Sequence, residues 1–326
     1  MTASGWVDRI LDWALLILDK ALTPSTRIHW LYLLTALAMA VFVYVRNRDD
    51  YGGTPLRQFL FPRSVWLHRS ALTDYAFAAL TLPAWYLAVS PLLLYSSDVQ
   101  SAILSVATAW LSEWHASSET TFTAAATYTI VLLLAADLER YWMHRLFHRI
   151  PVFWEFHKVH HSAEVLTPVS FYRVHPLQNL VTSFAAALVI GSVTGIFVFL
   201  FPDELSPLTI FGVNAGRFAF NLFGANLRHS HIWLSFGRLA EHVFISPAQH
   251  QIHHSNHPRH FDRNFGSQFA LWDWMFGSLY LANRRERIVF GLGDEENRRL
   301  STVPRLFFSP FGAVARKLSS QRPQSA

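Results

Sequence analysis

The sequence predicts an all-α, multi-pass bundle of transmembrane helices, capped on the cytoplasmic side by histidine-rich helical segments. Three observations predict it. Hydrophobic residues fill 52% of the 326 positions and charged residues only 15%, against about 25% charged in an ordinary globular chain. Several apolar stretches approach the roughly 20 residues that a helix needs to cross a bilayer. Of the 17 histidines, 14 fall within residues 144–175 and 229–260.

Composition also excludes whole classes. The aromatic content and the mean hydropathy of +0.21 rule out a disordered or collagen-like chain. Cysteine is absent, which removes disulfides, thiolate metal sites, cysteine-held clusters and a cysteine nucleophile. The net charge of +5 fits loops facing anionic lipid, and no nucleic-acid partner is expected.

The elements follow in order. The first residues, MTASGWVDRILDW, lack the basic start and clean apolar run of a cleavable signal peptide. Residues 1–28 form an N-terminal unit whose segment 6–22 has charges interspersed among apolar residues, as in an interfacial amphipathic helix. Residues 29–139 hold three predicted spans, at 29–45, 71–95 and 121–138. Residues 140–176 carry the first two histidine clusters, 177–226 form a membrane helical hairpin with spans at 177–201 and 207–226, and 227–290 carry the third cluster and the rest of the cap. The tail 291–326 ends in a stretch, from about 315, with the composition of a disordered segment.

Lys and Arg set the orientation. Residues 46–70 contain Arg46, Arg48, Arg57, Arg63 and Arg69, whereas 96–120, read as a loop, contain neither Lys nor Arg. The first loop is therefore expected in the cytoplasm and the second outside, which puts every histidine cluster on the cytoplasmic side. Arg9, Lys20 and Arg27 would then lie outside, unless the first apolar segment is re-entrant or 6–22 also crosses. The expected location is the cell inner membrane of a bacterium or the endoplasmic reticulum of a eukaryote.

The histidines carry the chemistry. They read His144-x-x-x-His148, His157-x-x-His160-His161 and His250-x-x-His253-His254. Residues three or four apart share one helix face, so each cluster aims two or three imidazoles at one point. Eight nitrogen donors exceed the needs of one ion with open positions, and two metal ions fit better. Imidazole suits Fe, Zn, Cu and Ni. Asp137 and Tyr141 continue the stripe of His144 and His148; Asp137 is a candidate to hold the second nitrogen of a ligating histidine, or else a helix-end residue at the interface. In the fifth expected span, Asn214, Arg217 and Asn221 recur at spacings of three and four, as a substrate path or as inter-helix hydrogen-bonding groups.

These residues resemble the fatty acid hydroxylase/sterol desaturase superfamily of integral-membrane di-iron oxygenases. The resemblance rests on the cluster order and on the text around it: DLERYWMHRLFH, WEFHKVHHS, FYRVHP, RHSH, ISPAQHQIHHS, DRNFG and LWDWMFG. It extends from about residue 60 to about 280. It implies that His144, His148, His157, His160, His161, His250, His253 and His254 are iron ligands, and that His229 is a ninth. It makes His175 a further candidate ligand, and His260, Asp262 and Asn264 candidates to support the ligands. It implies two iron ions, which zinc can replace in purified material, with O2 as co-substrate. It implies hydroxylation or desaturation of a C–H bond in a lipid of sterol or fatty acyl type, fed by a separate electron-donor protein and reductase. Two rival classes fit less well. A membrane zinc hydrolase would use a Glu general base as in HExxH, which is absent. A metal transporter would place its ligands within the spans. His231, His242 and His257 are expected to be interfacial, and His29, His68 and His115 structural.

Overall fold

A computed structural model describes residues 15, 18, 19, 21–84, 93–111, 121–201 and 205–320. The N-terminal segment 6–22 therefore lies largely outside the described residues. Among those described, helix dominates and the only sheet is two-stranded. The helices that position the site are α1 (Trp30–Arg46), α2 (Arg69–Ala84), α3 (Ser96–Leu111), α4 (Phe122–Arg149), α5 (Pro151–His161) and α6 (Pro176–Leu200).

Helix α4 starts at Thr121, whose hydroxyl accepts from the Ala124 amide, an N-cap that satisfies one of the helix's free donors. It runs through the expected third span and on to Arg149. Proline disfavours helical backbone in the residue before it, so Ile150 turns extended and Pro151 opens α5. That turn folds the second histidine cluster back beside the first. Helix α6 opens in the same manner, with His175 as cap and Pro176 in the first turn.

Both α4 and α6 are long and apolar enough to cross a membrane; α1 is apolar but has 17 residues. The expected span 71–95 is described as helix to Ala84 only.

Three expectations are corrected. Residues 96–120 are not simply a loop: α3 occupies Ser96–Leu111 and packs along α6. The cause is Gly191-x-x-x-Gly195 in α6. A Cβ at Gly191 would lie 2.5 Å from the Ser96 carbonyl, and one at Gly195 would lie 2.9 Å from Ile103. Small residues four apart let helix backbones approach this closely. The segment 207–226 is not one helix. Strands β1 (Thr209–Ile210) and β2 (Val213–Asn214) form a hairpin whose central residues Phe211 and Gly212 both have positive φ, as two-residue hairpins favour. The Asn214 side chain then caps α7 (Ala215–Leu222), and Gly224 at φ 76° ends the run. Finally, the tail is ordered helix to Ser320. Lys317 pairs with Glu155 at 2.6 Å and donates to the Pro151 carbonyl at 3.3 Å, pinning the segment expected to be loose.

The last histidine cluster sits on α8 (Pro247–His253). Ser246 and Gln249 form a capping box and Pro247 lies in the first turn. A short helix, α9 (Leu271–Met275), and the C-terminal α10 (Val303–Ser320) complete the elements used below. Leu300 and Leu306 pack with Phe77 of α2 and Val159 of α5, so the C-terminal region closes over the back of the second cluster.

Candidate metal centre

Nine histidines converge in two adjoining groups. His144, His148, His157, His161 and His253 form one; His160, His229, His250 and His254 form the other. Within each group the donor atoms lie within 4.8 Å of one another. The groups touch: the rings of His161 and His254 stack with centroids 4.5 Å apart. All nine residues expected as ligands are therefore brought together.

Nitrogens converge without protein partners between them. The Nε2 atoms of His157 and His161 are 3.2 Å apart, those of His229 and His250 3.0 Å, and those of His250 and His254 3.2 Å. The buried Nε2 atoms of His148 and His253 have no hydrogen-bond partner. A buried polar atom left unpaired is costly, so this donor set fits cations held by neutral imidazole.

The outward nitrogens of five of the nine are fixed by the protein. His144 Nδ1 bonds the Phe265 carbonyl at 2.8 Å, and His253 Nδ1 bonds the Arg263 carbonyl at 2.8 Å. His157 Nδ1 bonds Gln178 Oε1 at 3.1 Å, His160 Nδ1 the Arg173 carbonyl at 3.3 Å, and His229 Nδ1 the Ser170 hydroxyl at 3.0 Å. A carbonyl accepts only, so Nδ1 carries the proton and the Nε2 lone pair is presented inward. Gln178, Ser170 and the carbonyls were not singled out in the sequence. Gln178→Leu keeps the volume and removes the acceptor; it should weaken metal retention about 10–100-fold in a chelator competition.

One loop supplies two of these carbonyls. Asp262 and Asn264 both adopt positive φ, 58° and 57°, a conformation that Asp and Asn tolerate better than most residues. Asn264 is buried; its amide donates to the carbonyls of Gln249 and Tyr280, and its oxygen accepts from the Tyr280 amide at 2.8 Å. Asp273 accepts from the amides of Phe265 and Gly266, both at 2.8 Å. Burial pushes its carboxyl up to about 6, against hydrogen bonds from Ser278, Gly266 and Phe265 that lower it. The Asn264→Ala chain should be destabilised by about 2–4 kcal/mol, from unpaired buried partners and left-handed backbone strain, in a thermal-melt comparison.

Other candidates are placed elsewhere. Asp137 touches no histidine. Its carboxylate accepts from the amides of Gln268 and Phe269 and from Trp272 Nε1 at 2.9, 3.0 and 3.1 Å, so it clamps α4 to the loop before α9. His175 lies outside both groups. Its Nδ1 accepts from the Leu177 amide and its Nε2 donates to the Phe307 carbonyl, which uses both nitrogens. His260 is also outside, 3.3 Å from Glu286. Asp262 lies 3.9 Å from His148 Nδ1 and 3.4 Å from Arg149, beside the His148 ring. Asn214 bonds the Thr129 carbonyl and caps α7, while Asn221 is buried beside Tyr32; neither reaches the histidines.

Burial makes the imidazoles hard to protonate. His160 is held down to about 3, chiefly by burial and then by His144, and His254 and His161 lie well below 6.5 through burial and several histidine neighbours. Depressed folded values mean that the unfolded chain binds more protons once pH falls below 6.5. Stability is thus fully present above that value and declines as pH falls toward the folded values. The metal-free chain should melt at progressively lower temperature from pH 7 to pH 5; a flat profile would contradict the burial.

A cavity of 530 Å³ reaches His148, His161, His253 and His254, with Trp154 and Phe261 on its wall.

Comparison with known proteins agrees with this geometry. Residues 129–278 match the family described as fatty acid hydroxylase, a stretch that includes all nine histidines. Just under half of this chain is therefore similar to the fatty acid hydroxylase family, and that half holds the whole histidine set. Similar proteins include the alkylglycerol monooxygenase of Danio rerio, 28% identical over 160 residues, covering 49% of this chain and 31% of that protein. The Delta(7)-sterol 5(6)-desaturase erg3C of Aspergillus fumigatus is 28% identical over 158 residues, covering 46% and 47%. The lathosterol oxidase of Homo sapiens is 26% identical over 150 residues, covering 46% and 44%. These names are those of oxidoreductases. The chain spans about a third of the alkylglycerol monooxygenase's length and under half of the two sterol enzymes'. No solved structure matches it.

Proposed function

We propose that this protein is a membrane-bound di-iron oxygenase that hydroxylates or desaturates a C–H bond of a lipid, of sterol or fatty acyl type, using O2 and electrons from a separate donor protein and reductase. The observation that carries the reading is the pair of adjoining histidine groups, five and four residues strong, one of them built on the end of an apolar helix long enough to cross a membrane. The similarity of residues 129–278 to the fatty acid hydroxylase family, and of the same region to sterol and alkylglycerol oxidoreductases, supports the lipid and the oxidation.

Iron held there supplies the one-electron and O2 chemistry that an unactivated C–H bond requires. The chain's own part is positional. Loop 262–266, Gln178 and Ser170 hold the imidazoles in one tautomer and one orientation. Burial of the groups keeps bulk water away, and the cavity lies beside His148 and His253.

The reading places the protein as a multi-pass membrane protein with its histidines in the cytoplasm. A reporter fused after Ala326 should read cytoplasmic, and Ala116→Cys should label from outside only; the same side for both would refute this orientation. The function is tested by lipid mass spectrometry of cells with and without the gene. A lipid that gains one oxygen atom, or loses two hydrogens, only when the gene is present is the expected result. A hydrolysed lipid with no oxygenated or desaturated product would favour a zinc hydrolase instead.

A further inference from the structure

We infer that the C-terminal helix α10 lies on an anionic bilayer surface, gripping lipid phosphates with Arg298, Arg305 and Arg316; the inference rests on the membrane reading above. The helix has three faces. Leu306 and Pro310 are buried against the body. Phe308, on the far side, is 73% exposed, and on the flank between it and the body Phe311 is 51% and Leu318 54% exposed. On the other flank, Arg305 and Arg316 are eleven residues apart, close to three full turns, and so project from one stripe. Ser309, Gly312 and Ala313 lie between them. These small residues floor a pocket of 450 Å³, with Arg298 on its rim.

The arginines are available for a ligand. Among the described residues, Arg298, Arg305 and Arg316 have no carboxylate within ion-pair distance; Arg305 donates to the Arg298 carbonyl at 2.9 Å, Glu295 also lines the pocket, and Glu296 and Glu155 are engaged, the first with Lys158 and Arg299, the second with Lys158 and Lys317. An exposed apolar stripe bordered by arginine is the pattern of a helix lying in the headgroup region.

The helix is also held at the level where such a surface would be. His175 caps the start of α6, one of the two candidate spans, and its Nε2 donates to the Phe307 carbonyl at 3.0 Å. The Phe311 ring packs on His175 and on Phe156, at centroid distances of 5.4 and 5.3 Å. One histidine thus ties the foot of a spanning helix to the middle of α10. A soluble acidic partner would not account for the three exposed apolar side chains beside the arginines.

The absence of cysteine makes a clean test possible. The full chain carrying Phe308→Cys, labelled with an environment-sensitive fluorophore, is placed in nanodiscs of phosphatidylcholine with or without phosphatidylserine and with nitroxide-labelled lipid. Leu188→Cys on α6 is the insertion control, since that side chain is exposed on the spanning helix. The expected result is quenching at position 308 that increases with phosphatidylserine. It should fall in the R298Q/R305Q/R316Q chain, by about fivefold in lipid partition per arginine. If position 188 is quenched and 308 is not, this inference fails and the membrane reading stands. If neither is quenched, the membrane reading fails first. Self-quenching with two chains per disc but no quenching by nitroxide lipid would assign the face to a second copy and overturn the lipid assignment. Quenching indifferent to phosphatidylserine and to the arginines would overturn the anionic specificity.

Discussion

If the nine histidines hold two metal ions, His253→Ala should abolish turnover and lower the metal content to about one ion per chain, whereas His257→Ala should keep both. The two residues are four apart, so spacing alone does not separate them. The structure does. His253 belongs to the five-histidine group, its Nδ1 bonds the Arg263 carbonyl, and its buried Nε2 has no protein partner. Helix α8 ends there, with His254 as its C-cap. His257 precedes Pro258, adopts extended backbone, and accepts from the Arg259 amide. The residue is exposed, belongs to neither histidine group, and its ring packs on His260, which lies outside both groups too. Metal analysis and activity at matched expression check the pair. Equal metal loss in both variants would mean that the third cluster extends past residue 256.

Arg173→Met is expected to destabilise the chain by about 3–5 kcal/mol, the cost of leaving one member of a buried ion pair alone. Arg173 is 2% exposed. It pairs with Asp74 at 2.7 Å, donates to the Val159 carbonyl at 2.9 Å, and reaches Ser162 and the Leu300 carbonyl. It thereby joins α2, α5 and the C-terminal region around one guanidinium, while its own carbonyl receives His160 Nδ1. Adding Asp74→Leu to Arg173→Met removes the stranded carboxylate and should restore more than half of the loss. A double variant no more stable than the single one would show that the pair is not the source of the cost. Thermal melts of the three chains in detergent give the comparison.

The sequence made the histidine groups legible because a ligand set on helices obeys a local rule. Spacings of three and four put His157, His160 and His161 on one arc, and the same holds for His250, His253 and His254. His229 has no such neighbour; only the family resemblance pointed to it, and the structure sets its Nε2 3.0 Å from that of His250. The supporting groups were mostly illegible. The carbonyls of Arg263 and Phe265 carry no side-chain signature, and their contact with His253 and His144 depends on the left-handed turns at Asp262 and Asn264. Asp137 lay on the correct helical stripe, yet burial turned it toward the amides at 268 and 269. Helix α3 escaped the reading because Ser96, Ser97 and Asp98 look like a loop and because the glycines that receive it lie nearly a hundred residues later. The break at 211–214 was masked by the apolar residues on both sides of it.

The central claim is that the nine histidines hold two metal ions and that iron makes them active. The most direct measurement is the metal-to-protein ratio of the purified full chain, taken together with activity before and after iron reconstitution. The account predicts about two ions per chain, with activity tracking iron even where zinc initially fills the groups. A preparation that is fully active with one zinc ion and no iron would contradict it.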